Sequence, residues 1–181
     1  MNPARKILWS AAGALLCAIA ASAANQLENP GFETGDTTGW TTFGLGWRIS
    51  SGDDAAGGSY GVVCDVLHEH ENETWRGICQ RVPVVPGRAY SARADIRAVN
   101  IHGAQAWLEL QWLDANDAVL DQAQSFWISI DQPFTAAELP DLVAPSNAVA
   151  ASIRGIVFVE QLPDPDHPEF LIFDDFGFEQ R

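Results

Sequence analysis

Residues 106–113 read Ala-Trp-Leu-Glu-Leu-Gln-Trp-Leu, and the turn formers Asp114-Ala115-Asn116-Asp117 follow at once. In a β-strand successive side chains point to opposite faces, so this stretch predicts a strand with two unlike faces. One face is predicted to line the core, and it carries Leu108, Leu110 and Trp112. The other is predicted to face outward, and it carries Trp107, Glu109 and Gln111.

The rest of the chain repeats this pattern of short strands separated by Gly, Pro, Asn and Asp. The predicted strands are residues 62–68, 78–85, 90–99, 106–113, 119–130, 150–160 and 170–179. Residues 138–147 are the least regular and are expected to hold a short helical turn. Many short strands at this spacing predict an all-β fold, an antiparallel β-sandwich or jelly roll.

The charge of the chain excludes two classes of partner. Its 181 residues hold 10 Lys and Arg against 24 Asp and Glu, a formal net charge of −14. Binding to nucleic acid depends on positive charge that displaces counterions from phosphates, so nucleic acid is excluded. An anionic membrane surface is disfavoured for the same reason. With 47% apolar residues, the chain is also too hydrophobic for a disordered acidic tail.

The first 23 residues predict a secretory signal peptide. Arg5 and Lys6 precede an apolar run over residues 7–20, and Ala21-Ser22-Ala23 is a small-x-small cleavage site. The apolar run is short for a membrane span. A lipoprotein anchor at Cys17 and a retained N-terminal anchor helix are the alternatives. Cleavage predicts a secreted or periplasmic protein without a membrane span.

Residues 24–181 are then predicted to form a single domain, expected to act as a monomer. They hold eight Arg and all 24 acidic residues, a net charge of −16. Cys64 and Cys79 are the two cysteines left, and an oxidising compartment predicts a disulfide between them. Two buried free thiols are the alternative.

Several motifs, in order, carry a resemblance to a known family. They are Asn29-Pro30-Gly31-Phe32-Glu33-Thr34-Gly35, Gly39-Trp40, Gly58-Ser59-Tyr60-Gly61, the stretch 80–90, Trp112-Leu113-Asp114-Ala115-Asn116-Asp117 and Phe173-Asp174-Asp175-Phe176-Gly177-Phe178. The set resembles carbohydrate-binding modules with a galactose-binding-domain-like jelly roll, above all families 4, 9, 16 and 22. The resemblance implies a non-catalytic protein that binds a polysaccharide or oligosaccharide. It does not specify the sugar, because function depends on sites grafted onto a fold.

The resemblance also implies a structural Ca²⁺ that ties the N-terminal segment to the last strand. The matching carboxylates are Glu33 and Asp174, with backbone carbonyls, for which the loop at Gly57-Gly58-Ser59 is the natural source. Ca²⁺ takes 6–8 oxygen ligands, so this donor set is sensible. Simple alternation places Asp174 on one face with Ile172, Phe176 and Phe178, and Asp175 on the other. A carboxylate in an apolar face needs a partner, and an Arg or backbone amides are the alternative to a metal.

Two aromatic patches are candidate sugar sites. The first is the outward face of residues 106–113, with Trp107, Glu109 and Gln111. The second is Trp75 with Arg76, expected in or near a polar loop. The alternative for Trp107 is packing against another aromatic residue such as Trp127. Trp40, Trp47 and Trp127 are expected in the core, and the acid excess favours a neutral glycan.

Three other functions are weighed against sugar binding. His68 and His70 could chelate a transition metal if they shared a strand face, but a polar loop is the plainer interpretation. A small jelly-roll glycan-cleaving enzyme stays open as an alternative, although the chain lacks the acidic cluster typical of jelly-roll glucanases. A structural or adhesive surface protein without sugar binding is the third.

Overall fold

Two five-stranded antiparallel sheets form the protein, according to a computed structural model that describes residues 24–68, 70 and 74–181. The strands are β1 (Thr41–Phe43), β2 (Trp47–Ser51), β3 (Tyr60–Val66), β4 (Thr74–Pro83), β5 (Ala89–Val99), β6 (Ala104–Leu113), β7 (Val119–Gln124), β8 (Gln132–Val143), β9 (Ala150–Val159) and β10 (Glu169–Gln180). Sheet A has the order β1-β4-β9-β6-β7, and sheet B the order β2-β3-β10-β5-β8. The predicted signal peptide, residues 1–23, lies outside the described residues.

The two sheets pack face to face, as the predicted β-sandwich jelly roll requires. The core is built from alternate residues of both sheets and includes Leu108, Leu110 and Trp112, as predicted for this face of β6. Tyr90 and Phe178 of sheet B stack at 5.0 Å, and Trp112 of sheet A meets Tyr90 edge-on at 5.8 Å. The edge-to-face contact of Tyr90 with Trp112 joins the two layers, and the stacked pair strengthens sheet B on its core side.

A long strand replaces the short helical turn expected in residues 138–147. β8 runs from Gln132 to Val143 at the edge of sheet B and pairs with β5 alone. Its irregular pattern has a local cause, since Pro140 and Asp141, with φ 52°, lie where the register with β5 shifts. Proline lacks the N–H that a central strand needs, so an edge strand tolerates it. Within the described residues a single 3-10 turn, Gly52–Asp54, is the helical structure.

A bulge in β10 overturns the simple alternation expected for residues 172–178. The register with β5 shifts between Asp174 and Gly177, and Asp175 has a left-handed φ of 46°. The extra residue reverses the faces, so that Phe173 and Phe176 both line the core while Asp174 does not. Asp174 is therefore not part of the apolar face that carries Phe176 and Phe178.

The predicted disulfide is wrong, because Cys64 and Cys79 are both free. Cys64 lies on β3 of sheet B and faces the core. Cys79 lies on β4 of sheet A, half-buried, with its sulfur 3.2 Å from Thr41 Oγ1 on the outer face. Two sulfurs on opposite sides of a strand layer cannot reach bonding distance. Burial raises the pKa of the Cys64 thiol to about 12, so this thiol stays protonated at neutral pH.

Candidate functional site

A groove of about 310 Å³ crosses the outer face of sheet A. Its lining comes from five strands: Phe43, Trp75, Glu109, Gln111, Gln122, Gln124, Arg154 and Ile156. The strand registers bring these residues together, since Glu109 of β6 lies opposite Arg154 of β9 and Gln124 of β7. The outward face predicted for Glu109 and Gln111 therefore does form the floor of a concave surface.

Glu109 organises the floor of the groove. The residue is 5% exposed, and its carboxylate accepts a hydrogen bond from Arg154 Nη1 at 2.6 Å. Gln111 Nε2 and Gln124 Nε2 also donate to it, each at 2.9 Å. A carboxylate this buried is tolerated because it is paired and multiply hydrogen-bonded. The result is a rigid, electrically neutral row of side chains with polar atoms left over for a ligand.

Aromatic residues form one side of the groove. Trp75 of β4 is 55% exposed and packs at 4.8 Å against Phe158 of β9. Phe43 of β1 lies opposite Gly77, where a Cβ atom would overlap the Phe43 ring, so glycine makes room for that ring. Arg154 lies over the Phe43 ring at 5.2 Å from its centre. A cation over an aromatic face is attractive and helps to fix the guanidinium.

Trp107 does face outward, but it is 1% exposed and cannot itself offer a surface to a ligand. Trp127 covers it with stacked rings at 5.1 Å, and Trp75 covers it edge-on at 5.6 Å. The packing against Trp127 that stood as the alternative is thus the one observed. Trp127 was expected in the core, and this is wrong, since it is 56% exposed. Trp40 is in the core as expected.

Arg76 does not belong to the groove. Residues 74–83 form a strand rather than a loop, so neighbouring side chains point to opposite faces and Arg76 points inward. It is 1% exposed and donates through Nη1 to the carbonyl of Asp65 at 2.9 Å. Its Nε and Nη2 have no hydrogen-bond partner among the described residues. Trp75 keeps its predicted position at the surface without Arg76 as a neighbour there.

Several groove residues escaped the sequence reasoning. They are Phe43, Gln122, Gln124, Ile156 and Arg154. For Arg154 a signal was available, because it is the one charged residue in the stretch 150–159. A charge at the centre of an apolar strand needs a partner in the neighbouring strand. Gln122 and Gln124 lie on β7, which the turn at residues 114–117 joins to β6 as a hairpin, so that turn was a signal for them. Phe43 and Ile156 required the pairing of strands that are far apart in sequence.

A second cluster of polar groups connects the N-terminal segment to the bulge of β10. Both Glu33 oxygens accept from the backbone N–H of Ser59, at 2.9 and 3.0 Å. Asp174 Oδ2 accepts from the N–H groups of Ala56 and Gly57, at 2.7 and 3.1 Å. Gly58 has φ of +65°, and a Cβ atom there would overlap the Glu33 carboxylate. The loop at residues 56–60 thus wraps two carboxylates closely.

Asp174 is a buried carboxylate without a basic side chain as its partner in the described part of the chain. It is fully buried, and burial raises its pKa to about 6 against the hydrogen bonds from Gly57, Asp175 and Ala56, which lower it. Neither Asp174 nor Glu33 forms an ion pair with a described residue. The bulge also brings Asp175 to this site, because Gly31 faces carboxylate oxygens of both Asp174 and Asp175. Asp175 was expected on the opposite side of the strand, and the left-handed backbone is the reason it is not.

The backbone amides that stood as the alternative to a metal are thus the observed partners of both carboxylates. The donor set also fits calcium in its chemistry, since a hard cation prefers oxygen ligands and would offset buried negative charge. Among residues 24–68, 70 and 74–181, no group of three or more His, Cys, Asp and Glu side chains is arranged to hold a metal. Backbone carbonyl oxygens would have to complete the coordination. His68 and His70 do not share a strand face. His68 Nδ1 lies 3.0 Å from the carbonyl of Pro163, and His70 Nδ1 lies 3.2 Å from Arg76 Nη1.

Comparison with known proteins identifies the fold. No protein-family model and no curated protein matches the chain. TmCBM61 in complex with β-1,4-galactotriose is similar, with a TM-score of 0.62, 17% identity, and coverage of 87% of this chain and 99% of that chain. The CBM22-1 xylan-binding domain of Paenibacillus barcinonensis Xyn10C gives a TM-score of 0.58 and 17% identity, covering 88% of this chain and 97% of that chain.

An enzyme contains the same fold. The enzymatically active domain of tailspike protein 4 from bacteriophage CBA120 gives a TM-score of 0.66 and 17% identity, covering 87% of this chain. The chain spans 21% of the length of that tailspike chain. Identities this low show the fold alone. The chain has the jelly-roll fold of carbohydrate-binding modules, which confirms the resemblance seen in the sequence. Within its described part, no helix has the length and apolarity needed to cross a membrane.

Proposed function

We propose that this protein binds a polysaccharide or oligosaccharide, without cleaving it, in the groove on the outer face of sheet A. The observation that carries the proposal is the exposed Trp75 at the side of a floor built on the Glu109–Arg154 pair. A sugar ring has an apolar face of C–H groups and a rim of hydroxyls. It is therefore complementary to an aromatic side chain next to fixed donors and acceptors.

The polar floor suits hydroxyl groups. Gln122 and Gln124 are exposed, and Gln111 is half-buried, so their amides can each offer both a donor and an acceptor. Because Glu109 already holds Gln111, Gln124 and Arg154 in place, little side-chain entropy is lost when a ligand arrives. Preorganisation of this kind raises affinity by lowering the cost of binding.

The charge of the groove favours a neutral glycan. Glu109 and Arg154 neutralise each other at 2.6 Å, and residues 24–181 carry a net charge of −16 that repels an anionic polymer. A cluster of Arg side chains could have reversed this preference. Such a cluster does not form among Arg76, Arg81, Arg93 and Arg97, since Arg76 is buried and Arg81 and Arg97 pair with Asp117 and Asp54.

Affinity gel electrophoresis against a panel of neutral and anionic polysaccharides tests the proposal. We expect retardation by at least one neutral glycan. Trp75→Ala should weaken binding about 30-fold, because truncating a central Trp typically costs about 2 kcal/mol or more. Phe134→Ala is the control, since Phe134 is a half-buried aromatic residue on β8 of sheet B, away from the groove.

Three outcomes would count against the proposal. Retardation by no glycan would refute it and would favour a structural or adhesive surface protein. An equal loss in Trp75→Ala and Phe134→Ala would refute the location of the site. Release of reducing ends or of unsaturated products from the bound glycan would replace binding by catalysis.

The proposal includes a structural Ca²⁺ held by Glu33 and Asp174 with backbone carbonyl oxygens. Support comes from the burial of Asp174, its lack of a basic partner among the described residues, and the approach of Asp175. A bound cation would supply the missing positive charge and fasten the N-terminal segment to β10. Metal analysis of the purified protein and thermal melts with and without chelator test this. Absence of calcium together with an unchanged melt would refute it.

We also propose that the protein works outside the cytoplasm, as a monomer, after removal of residues 1–23. The support is the tripartite pattern of charged, apolar and small residues in that segment. N-terminal sequencing of protein recovered from a secreting host should begin at Ala24. Sedimentation analysis measures the oligomeric state, and a stable dimer would contradict the monomer.

A further inference from the structure

Three tryptophans form a continuous contact beside the groove floor. Trp107 is the buried member, and its Nε1 has no hydrogen-bond partner among the described residues. Trp75 and Trp127 cover it from two sides, with ring centres 5.6 and 5.1 Å away. Both covering residues remain more than half exposed, at 55% and 56%. Two aromatic surfaces therefore lie close together, supported by one buried ring.

The two exposed rings are steeply crossed. The plane of Trp107 makes an angle of 89° with the plane of Trp75 and of 22° with the plane of Trp127. The difference between 89° and 22° is 67°, so the planes of Trp75 and Trp127 are at least 67° apart. Trp127 stacks on Trp107 through one face, which leaves its other face for solvent. Because both centres lie within 5.6 Å of the Trp107 ring, one glycan chain can reach both rings.

Resting on the proposed function, we propose that Trp127 is a second ligand-contacting side chain. We further propose that the crossed planes of Trp75 and Trp127 select glycans whose successive rings turn about the chain axis. In a flat ribbon, successive rings are related by a half turn and their faces stay parallel. Such a chain can stack on Trp75 or on Trp127 but not on both. In a chain that rotates by about a third of a full turn at each sugar, the faces of neighbouring sugar rings are steeply inclined to each other. They then match the crossed planes of Trp75 and Trp127.

Oligosaccharides of equal length test this selectivity by isothermal titration calorimetry. Cellohexaose and mannohexaose are the flat probes, and xylohexaose and laminarihexaose are the twisted ones. We expect at least one twisted probe to bind about tenfold more tightly than either flat probe, a difference of about 1.4 kcal/mol. Trp127→Ala should remove most of that preference, because it weakens the twisted probes far more than the flat probes, which can still stack on Trp75.

Matched variants separate ligand contact from a loss of structure. Phe126→Ala is the control, because Phe126 is adjacent in sequence and 52% exposed. Trp127→Phe keeps an aromatic face and should retain most of the preference for twisted probes. Trp fluorescence and a thermal melt of each variant report whether Trp107 stays packed once its cover is removed.

Each outcome decides the inference. Flat probes that bind as tightly as twisted ones, or a Trp127→Ala variant that behaves like Phe126→Ala, would overturn it and leave the groove as the glycan site. Failure of both twisted probes, while the polysaccharide gels still retard the protein, would overturn it too. Failure of every gel and every probe would instead remove the proposed function itself.

Discussion

Replacing Glu109 by Ala should destabilise the protein more than replacing its partner Arg154. In Glu109→Ala, the Arg154 guanidinium, 19% exposed, loses its carboxylate and keeps the Phe43 ring as a neighbour. Removing one member of a buried pair costs about 3–5 kcal/mol, and because Arg154 retains some solvent we expect about 3. For a domain of this size about 2–4 °C are lost per kcal/mol, so the melting temperature should fall by roughly 6–12 °C.

Arg154→Ala is expected to cost less, about 1–2 kcal/mol, because Glu109 keeps donors on Gln111 and Gln124, and such bonds to a charged group stabilise it. In Glu109→Gln the Gln124 amide can rotate to offer its oxygen, so this variant should be the mildest of the three. Urea denaturation followed by Trp fluorescence measures each free energy of unfolding. The double variant completes the cycle, and its cost should be well below the sum of the single costs.

Equal costs for Glu109→Ala and Arg154→Ala would show that the two amides do not support the carboxylate. A double variant whose cost equals the sum, within about 0.5 kcal/mol, would show that the pair is not coupled. Either result would refute the description of Glu109 as the residue that organises the groove.

Three further predictions concern groups outside the groove floor. Arg76→Met should leave glycan affinity within about twofold, or ~0.4 kcal/mol, because Arg76 faces the core; a large loss in titration calorimetry would mean that ligand reaches it. A thiol reagent should label Cys79 in the native protein and both cysteines in denaturant, because Cys64 is buried and the pKa of its thiol is raised. Two cysteines that stay unlabelled in denaturant would indicate a disulfide. In chelator, the free energy of unfolding of the unmodified protein, compared with that of Asp174→Asn, should fall as pH rises from about 4 towards 6. Asp174 keeps its proton in the folded protein to about pH 6, while in the unfolded chain it has already lost it, so the rise in pH favours the unfolded chain. Added calcium should reduce this fall, and identical pH profiles of the two proteins in chelator would contradict the assignment.

The sequence was sufficient for the class of fold and for which face of β6 looks outward. Alternation in residues 106–113 placed Leu108 and Trp112 in the core and Glu109 on the other face, since the period of a strand is a local property of the backbone. Alternation gave wrong predictions where the backbone is not a regular strand or where the strand was not recognised. The bulge at Asp175 made the predicted face of Asp174 and Asp175 wrong, and the strand at residues 74–83, predicted as a loop at Arg76, made the predicted position of Arg76 wrong. A shift of one residue along a strand moves every following side chain to the other face.

The order and pairing of the strands and the burial of individual side chains could not be predicted from the sequence. Arg154 meets Glu109 from a strand that is distant along the chain and Gln124 from the strand that follows β6, and only the register of sheet A makes them one site. Whether an outward Trp is exposed depends on what covers it, so Trp107 is buried while Trp127 is open to solvent. By itself the sequence determined the strand-rich class of fold, the acidic charge and the polar face of β6, which are set by local chemistry; the short strands β1 and β2 and the edge strand β8 were not predicted. The tertiary structure alone decided the groove, the crossed tryptophans and the separation of the two cysteines, which depend on contacts between distant segments.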